Sequence, residues 1–205
     1  MQLEAIKSEQ KKIFEKLKNF PEFYLVGGTA LALQMGHRIS IDFDLFSEKE
    51  ISPVFLNKVK RIFKEFKIET ILDHSEQLSI KANGTKIDFV KYNFPPTLNL
   101  TKFRGVKILS VPEIAAMKAF AVSHRATLKD YIDLYFILKG GYADLKKIKR
   151  IAEEKYKDEF NFRLFLEQLI YLEDVKKERI QFLKKKIGEQ EMIKFFEKEI
   201  KKIKI

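Results

Sequence analysis

Two aspartates separated by a single residue are the side chains best suited to chemistry in this sequence. Asp42 and Asp44 belong to residues 41–46, where apolar and acidic side chains alternate. This period of two predicts a β-strand that carries both carboxylates on one face. Paired carboxylates bind hard divalent cations, Mg²⁺ or alternatively Mn²⁺, which also accept phosphate oxygens as ligands. The pair could therefore hold metal ions beside a phosphate ester.

A third carboxylate, Asp88, lies in a predicted hairpin further along the chain. Residues 78–82 and 86–90 are predicted strands on either side of Asn83 and Gly84, residue types that accept the positive φ of a tight turn. Asp88 would complete the metal site if its strand pairs with the strand of the two aspartates. Alternatively, Asp88 lies on the exposed face of a half-buried strand.

A pair of glycines precedes the aspartates. Gly27 and Gly28 follow the apolar residues 23–26 and lead into residues 29–35, which are rich in helix formers. This pattern predicts a strand, a tight turn and a short helix. Glycine lets a backbone approach a phosphate closely, and the N-terminus of a helix favours an anion. Each feature is common by itself, whereas the order and spacing of glycines and aspartates are more specific.

The combined pattern resembles the first motif of the AbiEii/AbiGii-type nucleotidyltransferases, which include the MenT-like enzymes. These proteins are known as toxins of type IV toxin–antitoxin and abortive-infection systems. A second block resembles the downstream lysine and the KDxxD-type motif of the same family. The residues that carry the resemblance are 27–33, 36–46, Lys118, Arg125 and 129–135. The resemblance covers about residues 20–140.

The resemblance implies a role for each matching residue. The expected catalytic residues are Asp42, Asp44, Asp88, Lys118, Lys129 and Asp133, of which the first three are the expected metal ligands. The expected nucleotide-binding residues are Gly27, Gly28, Thr29, Arg38, Ser40, Arg125 and Asp130. Lys118 and Lys129 would neutralise phosphate charge. The superfamily usually has serine where this chain has Gly28, so a hydroxyl contact would come from Thr29 or Ser40.

Structural roles are open alternatives for the second block. Asp130 lies three residues after Thr127, where the carboxylate of a capping box belongs. Lys129 and Asp133 are four residues apart on a predicted helix and could form a surface ion pair. Arg125 could bind phosphate or hydrogen-bond the carbonyl groups at a helix end.

The expected fold class is α/β (α+β), a nucleotidyltransferase-fold mixed sheet flanked by helices and followed by a C-terminal helical bundle. The expected catalytic domain is 1–109, and the helical domain 110–205 would close the active-site cleft. The other predicted elements are a helix over 1–20, a helix over 53–66, a strand over 106–109, capping boxes at 110–113 and 127–130, and a helix end at Gly140-Gly141. The expected core residues of a later helix are Phe162, Phe165, Leu166, Leu169 and Ile170.

Composition limits the classes of function. The chain has 40 Lys and Arg against 29 Asp and Glu, a net charge of +11, which suits a polyanionic partner or simply a basic surface. The absence of cysteine excludes thiol nucleophiles and thiolate metal sites, and the three histidines share no metal-ligand spacing. The charged N-terminal residues 1–20 predict neither a secretory signal nor a membrane span, so we expect a cytoplasmic protein.

A lysine-rich C-terminal segment has two interpretations, a solvated helix face or a contact with RNA. Its members are Lys184, Lys185, Lys186, Lys201, Lys202 and Lys204.

The resemblance implies Mg²⁺-dependent transfer of a nucleoside monophosphate from an NTP to an acceptor hydroxyl. Similarity to the MenT-like enzymes suggests the 3′ end of tRNA as acceptor, while protein and small-molecule acceptors stay open. A cognate antitoxin is the further expected partner. Two other functions are open, a non-catalytic nucleotide- or RNA-binding module with the same fold and a phosphotransferase that moves a γ-phosphate.

Overall fold

The protein is described by a computed structural model over residues 1–175 and 178–203. The chain divides into two compact units, Met1–Leu109 and Ser110–Ile205. Within the described ranges, none of the helices has both the length and the apolar character needed to cross a membrane.

The first unit contains a seven-stranded mixed sheet and three α-helices. Its strands are β1 Tyr24–Val26, β2 Phe43–Ser47, β3 Ile68–Asp73, β4 Gln77–Ala82, β5 Thr85–Lys91, β6 Thr101–Phe103 and β7 Val106–Ile108. Its helices are α1 Ser8–Leu17, α2 Gly27–Met35 and α3 Phe55–Ile62, with a 3-10 turn at Leu3–Ala5. The strand order is β3-β4-β5-β2-β1-β7-β6, in which the pairs β5/β2 and β1/β7 are parallel and the others antiparallel.

The regular elements among the described residues of the second unit are all helices. Its helices are α4 Val111–Arg125, α5 Leu128–Lys139, α6 Leu145–Tyr156, α7 Phe162–Leu169 and α8 Glu189–Lys201, with a 3-10 turn at Lys157–Glu159. Helix α4 packs against α5, α6 and α7, and α8 packs against α5 and α7. The predicted fold class, a mixed sheet with helices followed by a helical bundle, is confirmed.

The hairpin prediction is confirmed in detail. Strands β4 and β5 pair in antiparallel fashion and are joined by Asn83 and Gly84, both with positive φ. The predicted strand 106–109 is confirmed as β7, and α5 ends before Gly140 as predicted.

Several predicted boundaries were wrong. The helix over 1–20 is a 3-10 turn followed by α1, and the helix over 53–66 is shortened to α3. Strand β2 starts at Phe43 instead of residue 41, and Ile41 is 51% exposed because it precedes the strand and packs into no core. Strands β3 and β6 were not predicted.

The capping box at 110–113 was wrong in part. Ser110 is the N-cap residue of α4 as predicted, but Glu113 does not act as a cap. Its carboxylate is fully buried, and its Oε1 accepts a hydrogen bond from Lys155 Nζ of α6 at 2.8 Å. Burying a charge without a partner of opposite sign costs far more free energy than leaving a helix end without a cap. Glu113 therefore pairs with Lys155.

Part of the predicted core of α7 is also exposed. Phe165, Leu166 and Leu169 are buried as expected, whereas Phe162 is half-buried and Ile170 is 39% exposed. Helix α7 is short and Ile170 follows its last residue, so the chain leaves the buried face there. Of the lysine-rich segment, Lys184–Lys186, Lys201 and Lys202 are exposed, and Lys204 lies outside the described residues.

An aromatic cluster forms the core beneath the sheet of the first unit. The buried ring of Phe89 on β5 lies 4.9 Å from Phe20, 5.2 Å from Phe23 and 5.1 Å from Phe55, between ring centroids. Such rings bury large apolar areas and gain further from edge-to-face contacts. The cluster thus fixes the position of β5, the strand that carries Asp88.

Phe89→Ala should lower the free energy of unfolding by about 3–5 kcal/mol, because it removes a fully buried ring and leaves a cavity. Urea denaturation followed by circular dichroism measures this change. Phe46→Ala, at a half-buried ring on β2, is the matched control and should cost clearly less. Equal costs for the two substitutions would contradict a core centred on Phe89.

Candidate active site

Helix α2 begins at Gly27, directly after β1 and two residues before the predicted helix start, and this first residue lies against an aspartate. Gly27 has a φ of 68°, in the left-handed region that favours glycine. A Cβ atom added to Gly27 would lie 2.5 Å from Oδ2 of Asp44, closer than any real carbon contact. Two independent reasons therefore favour glycine at this position: the backbone conformation and the close approach of the Asp44 carboxylate.

The second glycine lies against a buried arginine. A Cβ atom at Gly28 would lie 2.6 Å from Nη2 of Arg38 and 3.3 Å from Oγ of Ser40. The Arg38 side chain is buried, and its Nη1 donates to the carbonyl of Ile39 at 3.1 Å. A serine at position 28 would therefore displace the guanidinium, which gives a physical reason for glycine in place of the superfamily's usual serine.

Two hydroxyls join the start of α2 to the segment that precedes β2. Oγ1 of Thr29 hydrogen-bonds Oγ of Ser40 at 2.8 Å and also the carbonyl oxygen of Asp42. Both hydroxyl side chains are buried. In this structure they hold the glycine turn against the residues before β2, so their contribution is to position the loop.

The structure places two of the three aspartates opposite each other on adjacent strands. Strands β2 and β5 are parallel, with Asp44 paired in register with Asp88. Asp44 is half-buried and Asp88 is buried, whereas Asp42 lies just before β2 and is exposed. The predicted strand with Asp42 and Asp44 on one face is therefore corrected: only Asp44 belongs to the strand, because pairing begins at Phe43.

One oxygen of Asp88 is free to bind a ligand. Its Oδ2 accepts a hydrogen bond from Lys86 Nζ at 2.6 Å. Its Oδ1 is buried and has no hydrogen-bond partner among residues 1–175 and 178–203. A buried carboxylate oxygen without a partner costs free energy, and each such atom needs an explanation. A cation bound at this position would satisfy the oxygen.

Lys86 is a site residue that the sequence interpretation missed. It lies two residues before Asp88 on β5, so the period of two places both on one face, a signal that was present in the sequence. The hydrogen bond to Asp88 raises the pKa of Lys86, and the charges of Asp88, Asp44 and Asp42 raise it further against the opposing effect of burial. All three carboxylates therefore act on one location and favour a positive charge there.

These donors fit a metal ion that also binds substrate phosphates. Across the described residues, no three side chains of His, Asp or Glu converge closely enough to hold a metal ion. Mg²⁺ is commonly held by only one or two carboxylates together with phosphate oxygens and waters. Asp44 and Asp88, with the free Oδ1 of Asp88, match that ligand set better than an all-protein cage.

A second cluster lies in the helical unit, around a buried lysine. Nζ of Lys118 on α4 is 2.9 Å from Oδ1 of Asp130 and 2.7 Å from Oδ2 of Asp133, both on α5. Asp133 is completely buried. Two carboxylates thus hold one ammonium in a fixed position, which favours an orienting role for them.

Asp130 has the capping role considered from the sequence and also contacts Lys118. Its Oδ2 accepts hydrogen bonds from the backbone N–H of Thr127 at 3.0 Å and from its hydroxyl at 2.8 Å, which confirms the capping box of α5. Burial alone would raise the pKa of Asp130. The charge of Lys118 and hydrogen bonds from Lys118 and Thr127 outweigh burial and hold the pKa below its usual value.

Lys129 and Arg125 lie outside this cluster. Nζ of Lys129 is 2.6 Å from Oε2 of Glu178, so the surface ion pair of Lys129 with Asp133 was wrong. The reason is burial: Asp133 faces the interior and Lys118, whereas Lys129 is exposed. Arg125 is the last residue of α4 and is exposed.

The sequence matches a known family over most of its length. The family model described as nucleotidyl transferase AbiEii toxin, Type IV TA system, matches residues 12–202. This chain belongs to the AbiEii family. It is therefore a nucleotidyltransferase of a toxin–antitoxin family.

Relatives of this AbiEii nucleotidyltransferase are similar along the whole chain. The uncharacterized protein aq_aa25 of Aquifex aeolicus (strain VF5) is 30% identical over 204 residues, which are 97% of this chain and 98% of that protein. A candidate nucleotidyltransferase from Helicobacter pylori has a TM-score of 0.54 at 19% identity, covering 92% of this chain and 95% of its own. JHP933 from Helicobacter pylori has a TM-score of 0.54 at 17% identity, covering 96% and 97%. At these identities the two solved structures show a shared fold.

Gly27→Ala should abolish most of the nucleotide transfer of this AbiEii enzyme, because the added Cβ collides with the Asp44 carboxylate. Gly141→Ala is the matched control, since Gly141 has the same φ of 68° but no atom within 4 Å of an added Cβ. Both substitutions should destabilise the fold by about 1 kcal/mol through backbone strain. Transfer rates and melting temperatures measured together distinguish them, and equal activities would contradict the contact with Asp44.

Asp130→Asn should lower the free energy of unfolding by about 2 kcal/mol near neutral pH, since it removes a charged hydrogen-bond acceptor. A carboxyl whose folded pKa is lowered stabilises the protein above its unfolded pKa of about 4 and stops doing so as pH falls through the folded pKa. The difference between variant and parent should therefore vanish in strong acid. Urea denaturation at several pH values measures it, and a difference independent of pH would show that Asp130 acts only as an uncharged cap.

Proposed function

We propose that this enzyme transfers a nucleoside monophosphate from an NTP to a hydroxyl group of RNA, with Mg²⁺, or alternatively Mn²⁺, held by Asp44 and Asp88, while the expected third ligand, Asp42, adds its negative charge from the segment before β2. The observation that carries the proposal is the in-register pair of Asp44 and Asp88 beside the Gly27 turn, with Oδ1 of Asp88 buried and unbonded. Acidic oxygens next to a glycine turn at a helix N-terminus combine sites for a cation and for a phosphate.

The reaction forms one bond and breaks one bond at the α-phosphorus. The acceptor hydroxyl loses its proton and its oxygen bonds to the α-phosphorus, while the bond from that phosphorus to the bridging oxygen of pyrophosphate breaks. Asp44 and Asp88 would hold the metal ion, which when bound would neutralise phosphate charge and lower the pKa of the acceptor hydroxyl.

The backbone at Gly27 and Gly28 is the proposed binding site of the triphosphate. Gly27 and Gly28 present backbone without side chains, and the N-terminus of α2 favours an anion. Thr29, Ser40 and Arg38 hold this turn in place through the hydrogen bonds described. Fixed donors of this kind stabilise charge without reorganisation during the reaction.

Cations of the helical unit are proposed to neutralise phosphate charge. Lys118 is the strongest candidate because Asp130 and Asp133 fix its ammonium. Lys129 and Arg125 are exposed and carry long side chains, so they are proposed as further contacts of the nucleotide phosphates.

RNA is the proposed acceptor, with the 3′ end of tRNA as the specific expectation. The net charge of +11 supports a polyanionic partner. Helix α6 adds a row of exposed cations, Lys146, Lys147, Lys149 and Arg150. NTP and RNA substrates would place the reaction in the cytoplasm. Because the family belongs to type IV toxin–antitoxin systems, a cognate antitoxin is the proposed partner protein.

Purified protein with Mg²⁺, total tRNA and each NTP labelled at the α-phosphate should transfer label to RNA and release pyrophosphate. Asp44→Asn should lower the rate about a hundredfold or more, in the range seen when a group that stabilises the transition state is removed. Asp73→Asn, at an exposed position on the edge strand β3, is the matched control and should retain full activity.

The products also test the alternatives. Transfer of a γ-phosphate label with ADP as product would contradict nucleotidyl transfer and indicate a phosphotransferase. Label on protein but not on RNA would contradict the RNA acceptor. RNA binding without any transfer, unaffected by Asp44→Asn, would indicate a binding module.

A further inference from the structure

Lys86 contacts one oxygen of the Asp88 carboxylate, while the other oxygen, Oδ1, is the one without a partner that a metal ion would bind. Its ammonium contacts Oδ2 of Asp88 at 2.6 Å, and the two side chains share one face of β5. The Lys86 side chain is 42% exposed, whereas that of Asp88 is only 11% exposed. The carboxylate is therefore fixed in the site, and the ammonium reaches it from solvent.

The carboxylates need positive charge even without a metal ion. Asp44 and Asp88 lie opposite each other on adjacent strands, an arrangement that destabilises a sheet when both groups are charged. Lys86 supplies one positive charge at this place within its own strand. An ammonium is singly charged and strongly hydrated, and its flexible stem lets it leave for solvent.

We propose that Lys86 is an internal counter-ion that competes with the divalent metal ion for Asp88. The inference rests on the proposed function, in which Asp88 is a metal ligand. A divalent ion at Oδ1 and the ammonium at Oδ2 would share one negative charge and repel each other, so metal binding favours movement of the ammonium away from Asp88. Its long stem and exposed position permit this movement, and the phosphates of a bound NTP offer it a new partner.

The competition makes metal loading depend on the nucleotide. In the absence of nucleotide, Lys86 weakens metal binding at Asp88. When an NTP is present, its negative charges both attract the metal ion and accept the released ammonium. Metal ion and nucleotide therefore bind cooperatively, and Lys86 acts as a positioning residue that couples their affinities.

The test is Mn²⁺ binding to the full-length protein without nucleotide, measured from the electron paramagnetic resonance signal of free Mn²⁺. Lys86→Met should lower the Kd for Mn²⁺ about three- to tenfold, the range expected on removal of a partly exposed ion pair. Lys86→Arg keeps the charge and should change the Kd less than about twofold on the same scale. The Lys86 side chain is 42% exposed and is not part of the core, so these variants should fold.

Lys81→Met is the matched control for net charge. Lys81 lies opposite Lys86 on β4 and is exposed, so its removal takes away the same charge from the neighbouring strand without breaking the contact to Asp88. Its Kd for Mn²⁺ should stay close to that of the parent. In the Asp88→Asn background, Lys86→Met should no longer tighten Mn²⁺ binding, because the shared carboxylate is absent.

Two results would overturn the proposal while leaving the proposed function intact. In the first, the parent protein binds Mn²⁺ and the Lys86→Met variant binds it with the same Kd. The other is a Lys81→Met variant whose Kd for Mn²⁺ falls as much as that of Lys86→Met, which would show that only the net charge of the protein matters. Failure of the proposed function looks different: no variant binds Mn²⁺ and no label reaches RNA, an outcome that overturns both.

Discussion

The parallel pairing of β2 with β5 is the constraint on which the rest of the candidate site depends. It places two carboxylates directly opposite each other in the middle of a sheet, where like charges repel. A sheet that keeps such a pair needs a compensating cation. Lys86 on β5 supplies a positive charge to Asp88. The unpartnered Oδ1 of Asp88 and the close approach of Gly27 to Asp44 lie beside the same two carboxylates.

The same pairing explains why the β1–α2 turn has no side chains. Strand β1 pairs with the other edge of β2, with Val26 in register with Asp44, so the residue after Val26 emerges beside the carboxylate. Any Cβ there would take the space of an Asp44 oxygen. The buried hydroxyls of Thr29 and Ser40 hydrogen-bond each other and so tie the start of α2 to the segment before β2.

Local patterns were enough to predict much of this arrangement. The Asn83-Gly84 turn determined the hairpin, because few residue pairs accept its backbone angles, and the hairpin placed Asp88 on a strand. The fold class and the family followed from the order of the motifs. The capping role of Asp130 also followed from spacing alone, since a cap and its helix are neighbours in sequence.

Contacts between distant residues could not be predicted from spacing. The sequence shows that Lys86 and Asp88 share a face, but not that β5 lies beside β2 and so exposes Lys86 to three carboxylates. Likewise Glu113 has the sequence position of a cap, and only the packing of α6 on α4 brings Lys155 to it. The alternative in which Asp133 pairs with Lys129 is likewise contradicted, because the direction in which Asp133 is buried is a tertiary property.

The buried pair of Glu113 and Lys155 has a consequence for how the helical unit chooses its packing. Both side chains are almost completely enclosed, so the attraction between them is largely offset by the loss of hydration. Sliding α6 by one turn along α4 would separate the two buried charges. The pair therefore contributes little to the net stability of the native fold. It raises the free energy of alignments in which the two side chains no longer meet, and so it specifies how α6 aligns along α4.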